Sequence, residues 1–414
     1  MSDNVFDTLK ERGFIAQVSD EEALRKNLDS GTVTFYIGFD GSASSLHAGS
    51  LVPIMAMMHL QRAGHRPIGL VGCGTTMVGD PSGRDEMRQM LSEDTIRANG
   101  KAIHAQLDRY LHFDGETSLA LDNADWLLPI NYIQFLREIG CHFSVNRMLA
   151  AEAYKQRLEK GLSFIEFNYQ LLQAYDYLHL YQNYGCTLQM GGDDQWGNIL
   201  AGVDLIRRVE GVKVEAMTFP LLTTASGAKM GKTAAGAVWL DGDLLSPYDY
   251  YQYWINCDDR DVGRFLKMFT FLSMAEIRQL DALDGSEIRQ AKQVLAFQTT
   301  RITHGDKAAE EAQATTEAAF GKQGEMTESD LNAMPTTPIT RDRLAQGISP
   351  MELFAEVGLT ASRGEARRLI KQGGMYINDQ RIDNLEYSVN EDSLTPDGIL
   401  LRAGKKKYHR LIVE

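Results

Sequence analysis

The chain has 414 residues, 43% of them hydrophobic and 24% charged, with a formal net charge of −14 at pH 7. Those values suit a soluble globular protein of two or three domains. They exclude nonspecific coating of nucleic acid by a general positive charge, while leaving room for a local basic patch that binds RNA.

The opening MSDNVFDTLKERGF has neither a basic nor an apolar stretch of the signal-peptide kind, and no apolar run is long enough to span a bilayer. A cytoplasmic protein with no membrane association is therefore expected. Cys73, Cys141, Cys186 and Cys257 form no C-x-x-C pair. No metal site and no structural zinc is expected, and scattered cysteines suit a reducing compartment.

Residues 5–12 and 20–28 read as amphipathic helices. Residues 34–39 are β-branched, aromatic and apolar, as a buried strand requires. Asp40, Gly41, Ser42, Ser44 and Ser45 break that pattern, and apolar residues return at helical spacing from Leu46. Pro53 fits a first helical turn, so the helix is expected to open near Gly49 or Ser50 with His47 at its mouth. A helix N-terminus offers free N–H groups and partial positive charge, a natural seat for phosphate. Residues 66–71 form the next strand. Strand, helix and strand within about 40 residues make a βαβ unit and a parallel sheet, which binds ligands beyond the carboxyl ends of its strands.

Further helices are expected over 93–113, most of 131–160, 164–184 and 199–209. Short strands are expected at 119–121, 188–190 and 217–222. From Ser246 the pattern is all-helical, residues 321–346 read as a linker, and 347–414 as a compact tail of helices and short strands.

The lysine-bearing string KMGKT at 229–233 is not a phosphate-binding P-loop, because three rather than four residues separate Gly227 from Gly231. It does make a mobile cationic loop. The loop at 72–83 misses the dinucleotide fingerprint, since Met77 stands where the third glycine belongs. Tyr169, Gln173 and Asp176 share one helix face, a stripe of phenol, amide and carboxylate fit to line a polar pocket.

In this order, these strings resemble the class I aminoacyl-tRNA synthetases, and among them the bacterial tyrosyl-tRNA synthetases, over essentially the whole chain. The strings are Tyr36-x-Gly38-Phe39-Asp40, His47-Ala48-Gly49-Ser50, Gly79-Asp80-Pro81-Ser82-Gly83, the Tyr169–Gln173–Asp176 face, the run from Gly191 to Asn198, and Lys229-Met230-Gly231-Lys232-Thr233.

The resemblance implies an α/β fold: a Rossmann-like parallel-sheet catalytic domain over 1–225 with a helical insert at about 130–165, and the signature loop and connector at 226–245. A helical anticodon-side domain (246–321), a linker (322–346) and a small α+β RNA-binding domain (347–414) complete it. The implied reaction activates L-tyrosine with ATP to tyrosyl-adenylate and pyrophosphate, then passes tyrosine to the 3′-terminal ribose of its cognate tRNA. Mg²⁺ is expected to arrive with ATP, and a homodimer is expected through the insert.

By the same resemblance, Tyr36 and Asp176 meet the substrate phenol, and Asp80, Tyr169 and Gln173 its ammonium. Gly38, Asp40, Gly49, Ser50, Gly192, Asp194, Gln195 and Lys232 bind the nucleotide. Ser42, His47, Lys229, Lys232 and Thr233 stabilise the transferring phosphate, with Arg84 and Arg88 as candidates for pyrophosphate. Two positions depart from the family pattern: Ser50 replaces the second histidine of the first signature, and Gly231 replaces the serine of the second. The tail resembles an RNA-binding fold of ribosomal and pseudouridine-synthase proteins. There Arg363, Arg367, Arg368 and Lys371 line a helix face suited to tRNA phosphates.

Overall fold

The computed structural model describes the chain apart from residues 1–3, 83–90, 151–153, 155–157, 160, 228–229, 234–235, 286, 321–333, 379, 396–397, 405–406 and 414, and only the backbone of 232, 233, 319 and 320. It divides into two compact units, Met1–Leu245 with Tyr253–Thr303 and Ser246–Gln252 with His304–Glu414.

The first unit is built on a six-stranded sheet. Its strands are β1 (Gln17–Val18), β2 (Thr34–Phe39), β3 (Arg66–Val71), β4 (Leu119–Asp122), β5 (Cys186–Gly192) and β6 (Glu215–Phe219), in the order β1-β6-β5-β2-β3-β4. All neighbours are parallel except β1, which runs antiparallel to β6 at the edge. The order reverses between β2 and β5, so the carboxyl ends of these two strands open a crevice at the switch point.

β3 is buried along nearly its whole length (Pro67 through Val71), as a strand covered on both faces must be. The Leu51–Arg62 helix buries Leu51, Val52, Ile54, Met55, Ala56, Met57 and Leu60, leaving little polar face. The sequence places its start correctly: a 3₁₀ turn at Ala48–Ser50, N-capped by His47, leads directly into it.

The Phe164–Tyr184 helix is bracketed by its own termini. Ser163 and Glu166 form a capping box, and Gly185 at φ 65 closes the other end. Expected as mostly helical, the segment before it contains short pieces at Tyr132–Glu138, Gly140–His142 and Val145–Leu149.

After the short antiparallel pair β7 (Lys232–Thr233) and β8 (Gly236–Ala237) of the first unit, the second unit holds β9 (Thr336–Ile339), β10 (Met375–Ile377), β11 (Gln380–Arg381), β12 (Ile399–Ala403) and β13 (Lys407–Val413), which form a sheet in the order β11-β10-β12-β13-β9. β9 corrects part of the expected linker. Thr336, Thr337 and Ile339 supply β-branched side chains, and Pro338 is tolerated because β9 is an edge strand, pairing on one side with β13. The Arg363–Lys371 helix turns Ala366 and Ile370 into the core of this unit.

Candidate active site

The crevice at the carboxyl ends of β2 and β5 is a cleft of about 790 Å³. Its walls bring together Tyr36, Gly38, Asp40, Ser42, His47, Gly49, Ser50, Asp80, Tyr169, Gln173, Asp176, Gly192, Asp194 and Gln195. Residues distant in sequence thus meet because neighbouring parallel strands deliver their outgoing loops to one edge.

One end of the cleft is buried. Asp176 is 3% exposed. Trp126 donates from Nε1 to its Oδ1 at 2.8 Å, and Asn123 donates from Nδ2 to its Oδ2 at 2.9 Å. Burial lifts this carboxyl to about 7, against the lowering effect of the two bonds and with Asp122 adding to the rise. Tyr36 lies beside it, 2% exposed, its ring 5.5 Å from that of Tyr177. Burial and then the Asp176 charge raise the Tyr36 phenol well above its ordinary range. Its hydroxyl is buried without a hydrogen-bond partner among the described residues, as are Gln173 Oε1 and Gln189 Oε1. An orphaned buried polar group is costly unless a ligand completes it.

Asn123 and Trp126, which hold Asp176 in this candidate site, were missed by motif reading. Asn123 follows β4, on the same ligand-binding edge as the other loops. Beyond holding Asp176, it donates to Thr75 Oγ1 at 2.9 Å and accepts from Gly74 N–H at 2.8 Å. It therefore ties the 72–76 turn to the pocket floor. Trp126 stacks on His179 with ring centroids 4.3 Å apart, which fixes the aim of its N–H.

Asp80 lies at mid-cleft. It accepts from Ser82 N–H at 2.9 Å and from Gln195 Nε2 at 2.6 Å. Burial, reinforced by Asp40, raises its carboxyl to about 6 despite those bonds.

The opposite end is made of turns. His47 accepts from Gly49 N–H at Nδ1, 3.0 Å away, so the proton of the neutral ring sits on Nε2. Onto this turn packs the described part of the lysine loop. Ala48 N–H donates to Val238 C=O, Val238 N–H to Gly231 C=O, and Met230 N–H to Leu222 C=O. Gly231 has φ +80, and a Cβ there would lie 2.6 Å from Gly49 N and 2.7 Å from His47 Nδ1. A Cβ on Gly49 would in turn lie 2.9 Å from Met230 O. The two signature turns approach this closely only because glycine stands on both sides.

Lys229, Arg84 and Arg88 lie outside the described residues, as do the side chains of Lys232 and Thr233, whose backbone forms a two-residue strand paired with Gly236–Ala237. In the second unit, Arg363, Arg367, Arg368 and Lys371 are exposed along one helix, with Arg363 paired to Glu352 at 3.0 Å. Among the described residues no group of His, Cys, Asp and Glu could hold a metal ion, and no helix is long and apolar enough to cross a membrane.

Residues 28–321 match the model of the class I tRNA synthetases (W and Y), and residues 326–411 match the tyrosine–tRNA ligase SYY-like C-terminal domain. The chain is 54% identical to a tyrosine–tRNA ligase of Desulfosudis oleivorans over 99% of both chains. It is 51% identical to one of Clostridium tetani over the full length of both. A solved C-terminally truncated mitochondrial tyrosyl-tRNA synthetase of Aspergillus nidulans superposes with a TM-score of 0.70 at 30% identity, covering 77% of this chain and 94% of its own. With both family models matched in order and relatives of this identity aligned end to end, the chain belongs to the class I tRNA synthetases of the tryptophan and tyrosine type, and within them to the tyrosine–tRNA ligases.

Proposed function

We propose that the protein activates L-tyrosine with ATP and transfers it to tRNA, with the amino acid at the buried end of the cleft and the nucleotide at the end made of turns. The observation that carries this reading is the pairing of an Asp176 carboxylate, faced by donors on both oxygens, with an unpartnered buried Tyr36 hydroxyl. A substrate phenol completes both: it donates to Asp176 and exchanges a hydrogen bond with Tyr36. Phenylalanine would leave the Tyr36 hydroxyl unsatisfied and bring no donor to Asp176.

Asp80, Tyr169 and Gln173 are assigned to the ammonium. Gly38, Asp40, Gly49, Ser50, Gly192, Asp194, Gln195 and Lys232 would bind ATP, with Asp194 at the ribose. The tyrosine carboxylate attacks the α-phosphorus in line and pyrophosphate leaves. A carboxylate needs no general base, so the task left to the protein is positioning and charge stabilisation. Ser42, the His47 Nε2–H, Lys229, Lys232 and Thr233 are assigned to that charge, and Arg84 and Arg88 to pyrophosphate. Mg²⁺ enters as part of the substrate, on the ATP phosphates. A ribose hydroxyl of the tRNA terminus then attacks the carbonyl carbon of the adenylate, forming the ester as AMP leaves.

The helical region 246–321 is assigned to the anticodon side of the tRNA, and Arg363, Arg367, Arg368 and Lys371 to its phosphates. A cytoplasmic homodimer is part of this reading. The dimer is supported by an apolar face on the insert, where Tyr132, Ile133, Val145 and Phe164 are each more than half exposed and the last two line a groove of about 390 Å³.

Pyrophosphate exchange into ATP with single amino acids tests the chemistry. Exchange with tyrosine alone is expected; exchange with tryptophan alone, or with no amino acid, would overturn it. Sedimentation of the intact chain tests the dimer.

A further inference from the structure

β1 is only two residues long, yet its Gln17 reaches the turn that carries the cleft residues Asp194 and Gln195. Gln17 donates from Nε2 to Asp193 Oδ1 at 2.7 Å, and its backbone N–H donates to Thr218 Oγ1 at 3.1 Å. The Thr218 hydroxyl, fully buried, donates in turn to the same Asp193 oxygen at 2.8 Å. Asp193 opens the 3₁₀ turn Asp193–Gln195, which runs on into the Trp196–Glu210 helix.

A 3₁₀ turn has about three residues per revolution, so three successive side chains point in three directions. Asp193 points back to the sheet edge. Asp194 lines the cleft, and its Oδ1 lies 2.5 Å from where a Cβ on Gly192 would be. Gln195 donates to Asp80 Oδ2 at 2.6 Å and to Asp194 Oδ2 at 3.3 Å, and accepts from Asn198 at 3.1 Å. The turn is thus gripped from the cleft side by Gln195 and from the far side by Asp193, and rolling it moves Asp194 and Gln195 together.

We infer that Gln17 is a positioning residue for the nucleotide: through Asp193 it fixes the rotation of the turn that presents Asp194. This rests on the proposed function, which puts the ATP ribose at Asp194. β1 itself does not depend on Gln17's side chain. Ala16 N–H donates to Thr218 C=O, Ser19 N–H to Ala216 C=O, and Ser19 Oγ to Glu215 at 2.6 Å. Ser19→Ala therefore perturbs the same strand without touching the turn.

The test is tyrosine-dependent pyrophosphate exchange by the full-length protein, with tyrosine affinity measured separately by equilibrium fluorescence. Gln17→Ala and Asp193→Ala are expected to raise KM for ATP roughly three- to tenfold, the scale of one ordinary hydrogen bond, with a much smaller shift in tyrosine Kd, since Ser82 N–H also holds Asp80. Asp193→Asn, which keeps the accepting oxygen, and Ser19→Ala are expected to stay within about twofold of the unmodified chain, well below one such bond. Asp194→Ala marks the ribose site and is expected to raise KM for ATP at least as far as Gln17→Ala.

Equal shifts in both substrates, or the same shift in Ser19→Ala, would make Gln17 merely structural and overturn the inference. An unmoved KM for ATP in Gln17→Ala and Asp193→Ala would also overturn it. No exchange by the unmodified chain would overturn the proposed function instead, and an unmoved KM in Asp194→Ala would overturn the placement of the ribose.

Discussion

The buried and the turn-built ends of the cleft solve recognition in opposite ways. At the Asp176 end, side chains do the work: a carboxylate and a phenol are enclosed, both donors come from the short helix and its N-cap that follow β4, and the charge is held where water is scarce. At the His47 end, the backbone does most of it. Two turns lie so close that glycine is needed at Gly49 and Gly231, and the polar groups there are half-buried or exposed. The difference follows from the ligands this reading assigns. A phenol differs from a phenyl ring by one hydroxyl, so rejecting the wrong amino acid requires buried groups that suffer when unpaired. Phosphates carry their own charge and are bound well by N–H groups and cations that stay near water.

Removing Asp176 should therefore produce the largest effect. Asp176→Ala deletes a charged acceptor and also strands the Asn123 and Trp126 donors. Tyrosine-dependent exchange is expected to fall by about 10²–10⁴-fold, as loss of one charged hydrogen bond plus one or two orphaned donors implies. Retained preference for tyrosine over phenylalanine in this variant would break the account of the buried end.

Gly231→Ala probes the other end. An alanine at φ +80 costs about 1–2 kcal/mol of backbone strain before any clash with Gly49 is counted. Exchange at subsaturating ATP is expected to slow about 5–30-fold while tyrosine Kd stays fixed. A variant that loses tyrosine affinity instead would show that the two ends are not separable.

How much of this was legible in the sequence depends on what each feature is made of. The strands at 34–39 and 66–71, and the helix at 164–184, are encoded locally, by apolar runs, by Ser163 and Glu166 at one terminus and by Gly185 at the other. β1 and β9 are not. Each is a short edge strand whose extended form is fixed by a distant partner, β6 in one case and β13 in the other. Asp176 could be picked out by its helical spacing from Tyr169. Asn123 and Trp126 carry no such pattern, since their partner is about fifty residues away and only the folded sheet joins them. The one available hint was position: Asn123 directly follows a strand whose end faces the ligand edge. The meeting of the two signature turns was equally invisible, because nothing local says that Gly231 will rest on Gly49.

A pH profile sharpens the contrast without a mutation. Burial raises Asp176 to about 7 and Asp80 to about 6, so each holds its proton more tightly folded than unfolded. Their contribution to stability is therefore full below the unfolded carboxylate range and is lost as pH rises through those values. Tyrosine binding has the opposite sign, because the phenol and the ammonium both call for ionised carboxylates. Tyrosine Kd is expected to be flat from pH 7 up to the range where the substrate ammonium loses its proton, and to weaken by up to about tenfold per unit below pH 7, with Asp80 steepening the fall below pH 6. The Kd of a nonhydrolysable ATP analogue should drift far less. Parallel profiles for both ligands would remove the basis for the comparison.

The smallest effect on activation is expected from the second unit. Arg367, Arg368 and Lys371 sit on the exposed side of a helix whose Ala366 and Ile370 are buried, so replacing the three by alanine leaves that unit's core intact. Exchange should stay within about twofold of the unmodified chain, since surface substitutions of this kind rarely exceed about 0.5 kcal/mol. Charging of tRNA should weaken several-fold at low salt, and its dependence on salt should become shallower by roughly one power for each phosphate left without its cation. The salt slope is the decisive reading. A loss of charging with an unchanged slope would mean these cations never met phosphate, and tRNA recognition would then have to lie on another surface of the chain.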